Sequence, residues 1–129
     1  MDDCIFCKIG KRELPAKLVY EDPELFAFED IAPQAPTHIL ICPRKHVVAL
    51  TDSKEEDGAL FGRALLLASR FAVERKLTSG YRVVVNNGAG AGQTVFHLHF
   101  HLLGGRDFRW PPGYLACGFQ DLFRWSALS

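Results

Sequence analysis

Short apolar runs with no helical period dominate the first third of the chain. Residues 17–20 (Lys-Leu-Val-Tyr) and 25–28 (Leu-Phe-Ala-Phe) are rich in aromatic and β-branched residues, and Glu21-Asp-Pro-Glu24 separates them. A proline-containing acidic tetrapeptide between two such runs predicts a hairpin connection. Pro33 and Pro36 interrupt the pattern, and His38-Ile-Leu-Ile-Cys42 then predicts a third strand, stopped by Pro43. Beyond it a helical period begins. Leu60, Ala64, Leu67, Ala68 and Phe71 recur at three- and four-residue spacing, which predicts an amphipathic helix running to about Lys76. Its start is expected at Ser53, whose hydroxyl and Glu56 form a capping box, and Gly80 offers a stop. Residues 81–85 predict a fourth strand, residues 86–93 a glycine-rich loop, and residues 94–103 a long last strand. A parallel crossover needs a dozen or more residues, so these short connections favour a mostly antiparallel sheet. The expected fold class is α+β with one long helix.

Composition narrows the function classes. The 129 residues, 48% of them hydrophobic, suffice for one domain and one core. Fifteen basic residues balance fifteen acidic ones and the pI is near 7.0. The broad positive field that draws proteins to nucleic acid or anionic membranes is therefore missing, and any bound anion must be held locally. The strongest apolar run, around residues 64–68, is far too short for a membrane span. Met1-Asp2-Asp3 is acidic where a signal peptide is basic. The expected location is the cytoplasm, with neither a nucleic-acid nor a membrane partner. Four cysteines in such a chain are expected to be reduced. Cys42 and Cys117 sit in apolar settings as small buried thiols. Cys4-x-x-Cys7 is half of a zinc site or a redox motif, and needs partners elsewhere.

Val95-Phe-His-Leu-His-Phe-His-Leu-Leu103 alternates strictly. On a strand, His97, His99 and His101 face one way and Phe96, Leu98, Phe100 and Leu102 the other. Alternate residues stand about 6.6–6.8 Å apart, so the outer histidines lie on the order of 13 Å from each other. No single phosphate-sized group can touch all three; His99 can act with one flank, and the other flank needs a different task. Neutral imidazole is a good nucleophile near pH 7, and its cation donates to oxyanions. The preceding Gly88-Ala-Gly90-Ala-Gly92-Gln93-Thr94 is neither a dinucleotide fingerprint nor a P-loop. It is either a flexible hairpin loop or an anion-binding nest, and its position just ahead of the histidines favours the second.

Gln93-Thr-Val-Phe-His-Leu-His-Phe-His-Leu-Leu103 closely resembles the signature of the histidine triad (HIT) superfamily. Pro15-Ala-Lys17, Ala27-Phe-Glu-Asp-Ile31, Pro33-Gln-Ala-Pro-Thr-His38, Gly80-Tyr-Arg82, Gly104-Gly-Arg106 and Trp110-Pro-Pro-Gly113 are similar to the branch of histidine triad nucleotide-binding proteins. The resemblance spans about residues 3–113. It implies an α+β, HIT-like fold in which the sheets of two subunits join across a homodimer, and hydrolysis of purine nucleoside phosphoramidates. It makes His99 the nucleophile, forming a nucleotidyl-histidine, with its inner N–H held by the His97 carbonyl. His101 would contact the phosphate and assist the leaving amine, and His38 would complete the catalytic set. Asn86, Gln93 and Thr94 would contact the phosphate and Asp30 the ribose, while Ile5, Phe6, Ile9, Phe28 and Ile31 would line the base pocket. No organic cofactor is implied.

The same resemblance gives Cys4 and Cys7 their partners, since some HIT proteins carry a structural zinc on a Cys-x-x-Cys, a Pro-x-x-His histidine and the first triad histidine. Here those are Pro43-Arg-Lys-His46 and His97, a Cys₂His₂ set with no open position for a catalytic water. Two buried thiols without metal, and a catalytic zinc on His97, His99 and His101, are the alternatives. For function, the alternatives are diadenosine polyphosphate hydrolysis and a nucleotide-binding interaction module with vestigial catalysis. Residues 1–113 form the expected HIT domain. Residues 114–129 extend beyond it, with Phe119, Leu122, Phe123, Ser126 and Ala127 at helical spacing.

Overall fold

The computed structural model describes residues 3–113. The extension, with Cys117 and the apolar positions expected to line a helix, lies outside them. In chain order come α1 (Ile5–Gly10), β1 (Leu18–Glu21), β2 (Leu25–Glu29), β3 (Thr37–Pro43), α2 (Gly58–Glu74), β4 (Tyr81–Val84) and β5 (Phe100–Gly104). The five strands make one antiparallel sheet ordered β1-β2-β3-β5-β4. This is the α+β class expected.

Strand alternation divides the core into two layers. Leu25 and Ala27 of β2, Ile39 and Ile41 of β3, and Phe100 and Leu102 of β5 pack with Ala64, Leu67, Ala68 and Phe71 of α2. Phe26, Phe28, Leu40 and Cys42 face the other way, against Phe6 and Ile9 of α1. Small residues in α2 let it lie close on the sheet, while Leu67 and Phe71 fill the space between. Truncating Leu67 to Ala costs about 2–5 kcal/mol as the cavity only partly collapses.

Two boundaries and one helix stop differ from the sequence expectation. The helix begins at Gly58 and not at Ser53, because the acidic stretch Glu55–Asp57 forms a separate 3₁₀ turn. The Asp57 carboxylate accepts from the Lys54 N–H at 2.9 Å and from Lys45 Nζ at 2.7 Å, whereas the Ser53 hydroxyl turns back to the Leu50 carbonyl. At its other end α2 stops on Lys76, left-handed at φ 57°, four residues before Gly80. The Leu77 N–H reaches the Ala72 carbonyl at 2.9 Å and the Lys76 N–H that of Val73 at 3.1 Å, a Schellman closure. The last strand begins at Phe100 instead of Thr94. Upstream of it the Leu98 N–H goes to the Val47 carbonyl at 2.6 Å, and the Pro43 carbonyl goes to the His97 ring. Pro43 has no N–H with which to extend the ladder. The predicted alternation holds from Leu98 onward, but Phe96 is 51% exposed and lies outside the core face.

Candidate active site

His38 of β3 and His101 of β5 project from the sheet face opposite α2. Leu40 pairs with His101 and His38 with Leu103, so the two histidines are diagonal neighbours on that face. Their protonation pattern follows from the hydrogen bonds. The Gln34 backbone N–H donates to His38 Nδ1 at 3.0 Å, so neutral His38 carries its proton on Nε2 and donates to His101 Nδ1 at 2.9 Å. The remaining proton of His101 is then on Nε2. That atom is buried and has no partner among the described residues. His99 is fixed the opposite way round: its Nδ1–H donates to the His97 carbonyl at 2.7 Å, leaving a lone pair on Nε2. The rings of His99 and His101 stand 4.8 Å apart. A nucleophilic nitrogen and an unsatisfied N–H donor are therefore side by side in a buried site.

Burial sets the charge state. It lowers His99 despite the opposing His97 carbonyl bond and Asp30 charge. It brings His101 down to about 3, helped by His99 and His38, and lowers His38 against the pull of Asp30. All three rings are neutral at pH 7, which keeps His99 nucleophilic. Asp30 closes a turn by accepting from the Ala32 N–H at 2.8 Å, and its second oxygen lies 3.5 Å from His38 Nε2. The donors of Asp30, His38 and His101 lie close enough together to hold an ion. The Gln34 N–H already occupies His38 Nδ1, however, so a metal on Nε2 would require an imidazolate.

His97, which lies ahead of β5, faces a different set of side chains. Its Nδ1 lies 3.5 Å from Cys4 Sγ, 3.5 Å from Cys7 Sγ and 3.2 Å from His46 Nδ1, and Cys7 Sγ lies 3.3 Å from His46 Nδ1. Bonds of about 2.3 Å to sulfur and about 2.0–2.1 Å to nitrogen give a tetrahedral zinc site donor separations of about 3.3–3.8 Å. The observed separations fit a Cys₂His₂ group that can hold a metal ion. His97 Nε2–H donates to the Pro43 carbonyl at 2.7 Å, so the lone pair on Nδ1 points into the group. Burial lowers His97 to about 4, keeping it neutral. A catalytic ion on all three triad histidines does not fit, because His97 faces the cysteines while His99 Nδ1 is committed to a carbonyl.

Gln93 has a different place from the one expected of it. Its amide is buried and fully used: Oε1 accepts from the Gly88 N–H at 2.8 Å, and Nε2 donates to the carbonyls of Val48 at 2.6 Å and Val95 at 3.1 Å. No donor remains to meet a phosphate. Gln93 instead closes the glycine loop on itself and ties it to the segment after His46. Gly88 and Gly92, at φ 94° and 96°, make the loop's two left-handed corners.

The HIT domain family model matches residues 11–108 of this chain. The chain belongs to the HIT family. An uncharacterised HIT-like protein of Synechococcus elongatus is 52% identical over 87% of this chain and 98% of its own length. A HIT family hydrolase from Legionella pneumophila, 48% identical, superposes with a TM-score of 0.84 over 86% of this chain and all of the other. A histidine triad nucleotide-binding protein from Candida albicans, 32% identical, gives 0.72 over 95% and 91%.

In this HIT chain the apolar residues expected to line the base pocket divide into two groups. Phe6, Ile9 and Phe28 are buried, with Phe6 set edge-on to Phe28 at 5.3 Å and to His99 at 5.0 Å. Ile5 and Ile31 are exposed, Ile31 at 96%. Asn86 adjoins the glycine loop near Gly92, and Thr94 is exposed at the loop's end. Two positioning groups were not among the site residues expected from the sequence: the Gln34 N–H that fixes His38, and Arg106, whose Nε holds the Gln34 carbonyl at 2.8 Å. The first is a backbone group, which no residue type announces. The second was visible only as part of Gly-Gly-Arg.

Proposed function

We propose that this chain hydrolyses purine nucleoside phosphoramidates through a nucleotidyl intermediate on His99. The observation that carries the reading is the opposed protonation of His99 and His101, a Nε2 lone pair beside an Nε2–H that has no partner among the described residues. In the first step His99 Nε2 attacks phosphorus and the phosphorus–nitrogen bond breaks. The amine leaves with that bond's electron pair and a proton that the substrate brings from solvent, while neutral His101 donates its Nε2–H to a phosphate oxygen beside the leaving amine. In the second step water attacks phosphorus, the bond to His99 breaks with its electrons returning to Nε2, and the water's proton returns to solvent. The His38 Nε2–H stays on His101 Nδ1 throughout and keeps the His101 proton on Nε2. Asp30 suits the ribose hydroxyls, since a carboxylate would repel phosphate. Asn86, Thr94 and the N–H groups of the glycine loop suit the phosphate. Phe6, Ile9 and Phe28 form the inner wall for the base, and exposed Ile5 and Ile31 its rim.

Cys4, Cys7, His46 and His97 are read as ligands of a structural zinc, which would tie α1 to the sheet and take no part in the reaction. Cys4, Cys7 and Cys42 form no disulfide, which fits a reducing compartment such as the cytoplasm. Among the described residues no helix is long and apolar enough to cross a membrane. A homodimer joined at the β4 edge is supported by exposed Leu66 and Val73 of α2 and Tyr81 of β4, with Val73 and Tyr81 lining a shared surface cleft. The deciding experiment is a turnover panel of adenosine and guanosine phosphoramidates beside diadenosine polyphosphates. Faster cleavage of the polyphosphates would replace the substrate assignment, and tight nucleotide binding without turnover of either would favour an interaction module.

A further inference from the structure

The Cys/His group and the nucleophile share two residues. One is His97, whose ring nitrogen Nδ1 belongs to the group while its main-chain carbonyl holds His99 Nδ1–H at 2.7 Å. The other is Phe6. It lies in α1 between Cys4, which caps that helix through the Cys7 N–H, and Cys7 itself. Its ring is edge-on to His97 at 6.1 Å and to His99 at 5.0 Å. The six residues of α1 are too few to hold a helix by themselves. Its seat rests on the burial of Phe6 and Ile9, on the Arg44 bond to the Gly10 carbonyl at 2.5 Å, and on whatever fixes the two cysteines. An ion joining Cys4 and Cys7 to His46 and His97 would therefore fix three things together: the position of α1, the Phe6 wall, and the carbonyl that holds His99.

We propose that a divalent cation on Cys4, Cys7, His46 and His97 and a nucleoside monophosphate beside His99 are thermodynamically linked, each strengthening the binding of the other, with Phe6 as the positioning residue that carries the coupling. The inference rests on the structural-metal reading and deepens it: the ion acts on the site by holding groups, with no contact to the substrate. Linkage requires one factor in both directions. A purely structural ion, one that holds a distant part of the fold, would give a factor of one.

The test uses zinc and adenosine 5′-monophosphate. Calorimetric titration of the nucleotide into zinc-loaded and zinc-stripped protein gives the factor one way. Chelator competition for zinc, with and without saturating nucleotide, gives it the other way and works on folded, loaded protein even if the stripped protein unfolds. The expected factor is about tenfold, within the usual range for coupled sites. In Phe6→Leu, which stays apolar, zinc should still bind while the factor falls toward one, whatever the variant's baseline nucleotide affinity. A parent factor within twofold of one in the chelator arm overturns the linkage, and an undiminished factor in Phe6→Leu overturns the assignment of the coupling to Phe6; neither result touches the metal reading. Zinc uptake that is absent, or equal in a Cys4→Ser, Cys7→Ser variant, overturns the metal reading and the linkage with it.

Discussion

His99 owes the lone pair on its Nε2 to a main-chain carbonyl two residues away, and His101 owes an outward N–H, without a partner among the described residues, to a relay that begins at the Gln34 backbone. The histidine spacing made these residues legible in the sequence as candidates, although the strand expected to carry all three reaches only His101. The direction of each proton was not legible for His38 and His101, because the Gln34 N–H that decides it is common to every residue type but proline. Gln93 shows the opposite failure. The resemblance placed its side chain against the phosphate, yet three backbone groups consume its donors and its acceptor. Gln93→Glu should therefore act through the loop: an acceptor would replace the Nε2 donor between the Val48 and Val95 carbonyls. The expected cost is about 1–3 kcal/mol in denaturant unfolding, with a raised KM for phosphate-bearing substrates. A variant as stable as the parent would contradict this placement.

Among the elements, strands were easier to place than their ends and the helix easier than its caps. Periodicity reports which face is buried, whereas ends depend on single hydrogen bonds such as Asp57 to Lys54 and Leu77 to Ala72. The left-handed Lys76 offers a direct check: Lys76→Gly should stabilise the protein by about 0.5–1 kcal/mol in denaturant unfolding by removing the Cβ strain. A loss would mean that the Schellman closure is misplaced. The β1–β2 hairpin gives a pH test. Burial alone would raise the Asp22 carboxyl, but bonds from the Tyr20 hydroxyl, the Glu24 and Leu25 N–H groups and Arg63 outweigh it and lower the group to about 2. A folded value below the unfolded one stabilises fully above the unfolded value, near 3.8. That contribution, about 2 kcal/mol, is lost as pH falls through about 2. Asp22→Asn should therefore be less stable than the parent at pH 6, with the gap closing toward pH 2. A gap that does not change with pH would remove the charge from the explanation.

For the molecule as a whole, two layers on one sheet separate the work: α2 and its core supply stability, and the opposite face carries the histidines and the Cys/His group. The overall class and antiparallel pairing followed from connection lengths, whereas what covers the α2 and β4 surface could not be read from a periodicity that Leu66 and Val73 do not obey. If that surface joins two copies, Val73→Glu should shift sedimentation from dimer to monomer, and parent protein that sediments as a monomer would refute the β4 interface. The proposed reaction turns on the covalent step at His99. Rapid quenching of a phosphoramidate reaction, followed by mass analysis of the intact chain and its peptides, looks for the intermediate itself. One nucleotidyl group per chain is expected on His99 during turnover, and in folded His99→Ala no adduct and hydrolysis slower by about three orders of magnitude or more. Hydrolysis by His99→Ala at the parent rate, with no adduct on the parent chain, would contradict the covalent step.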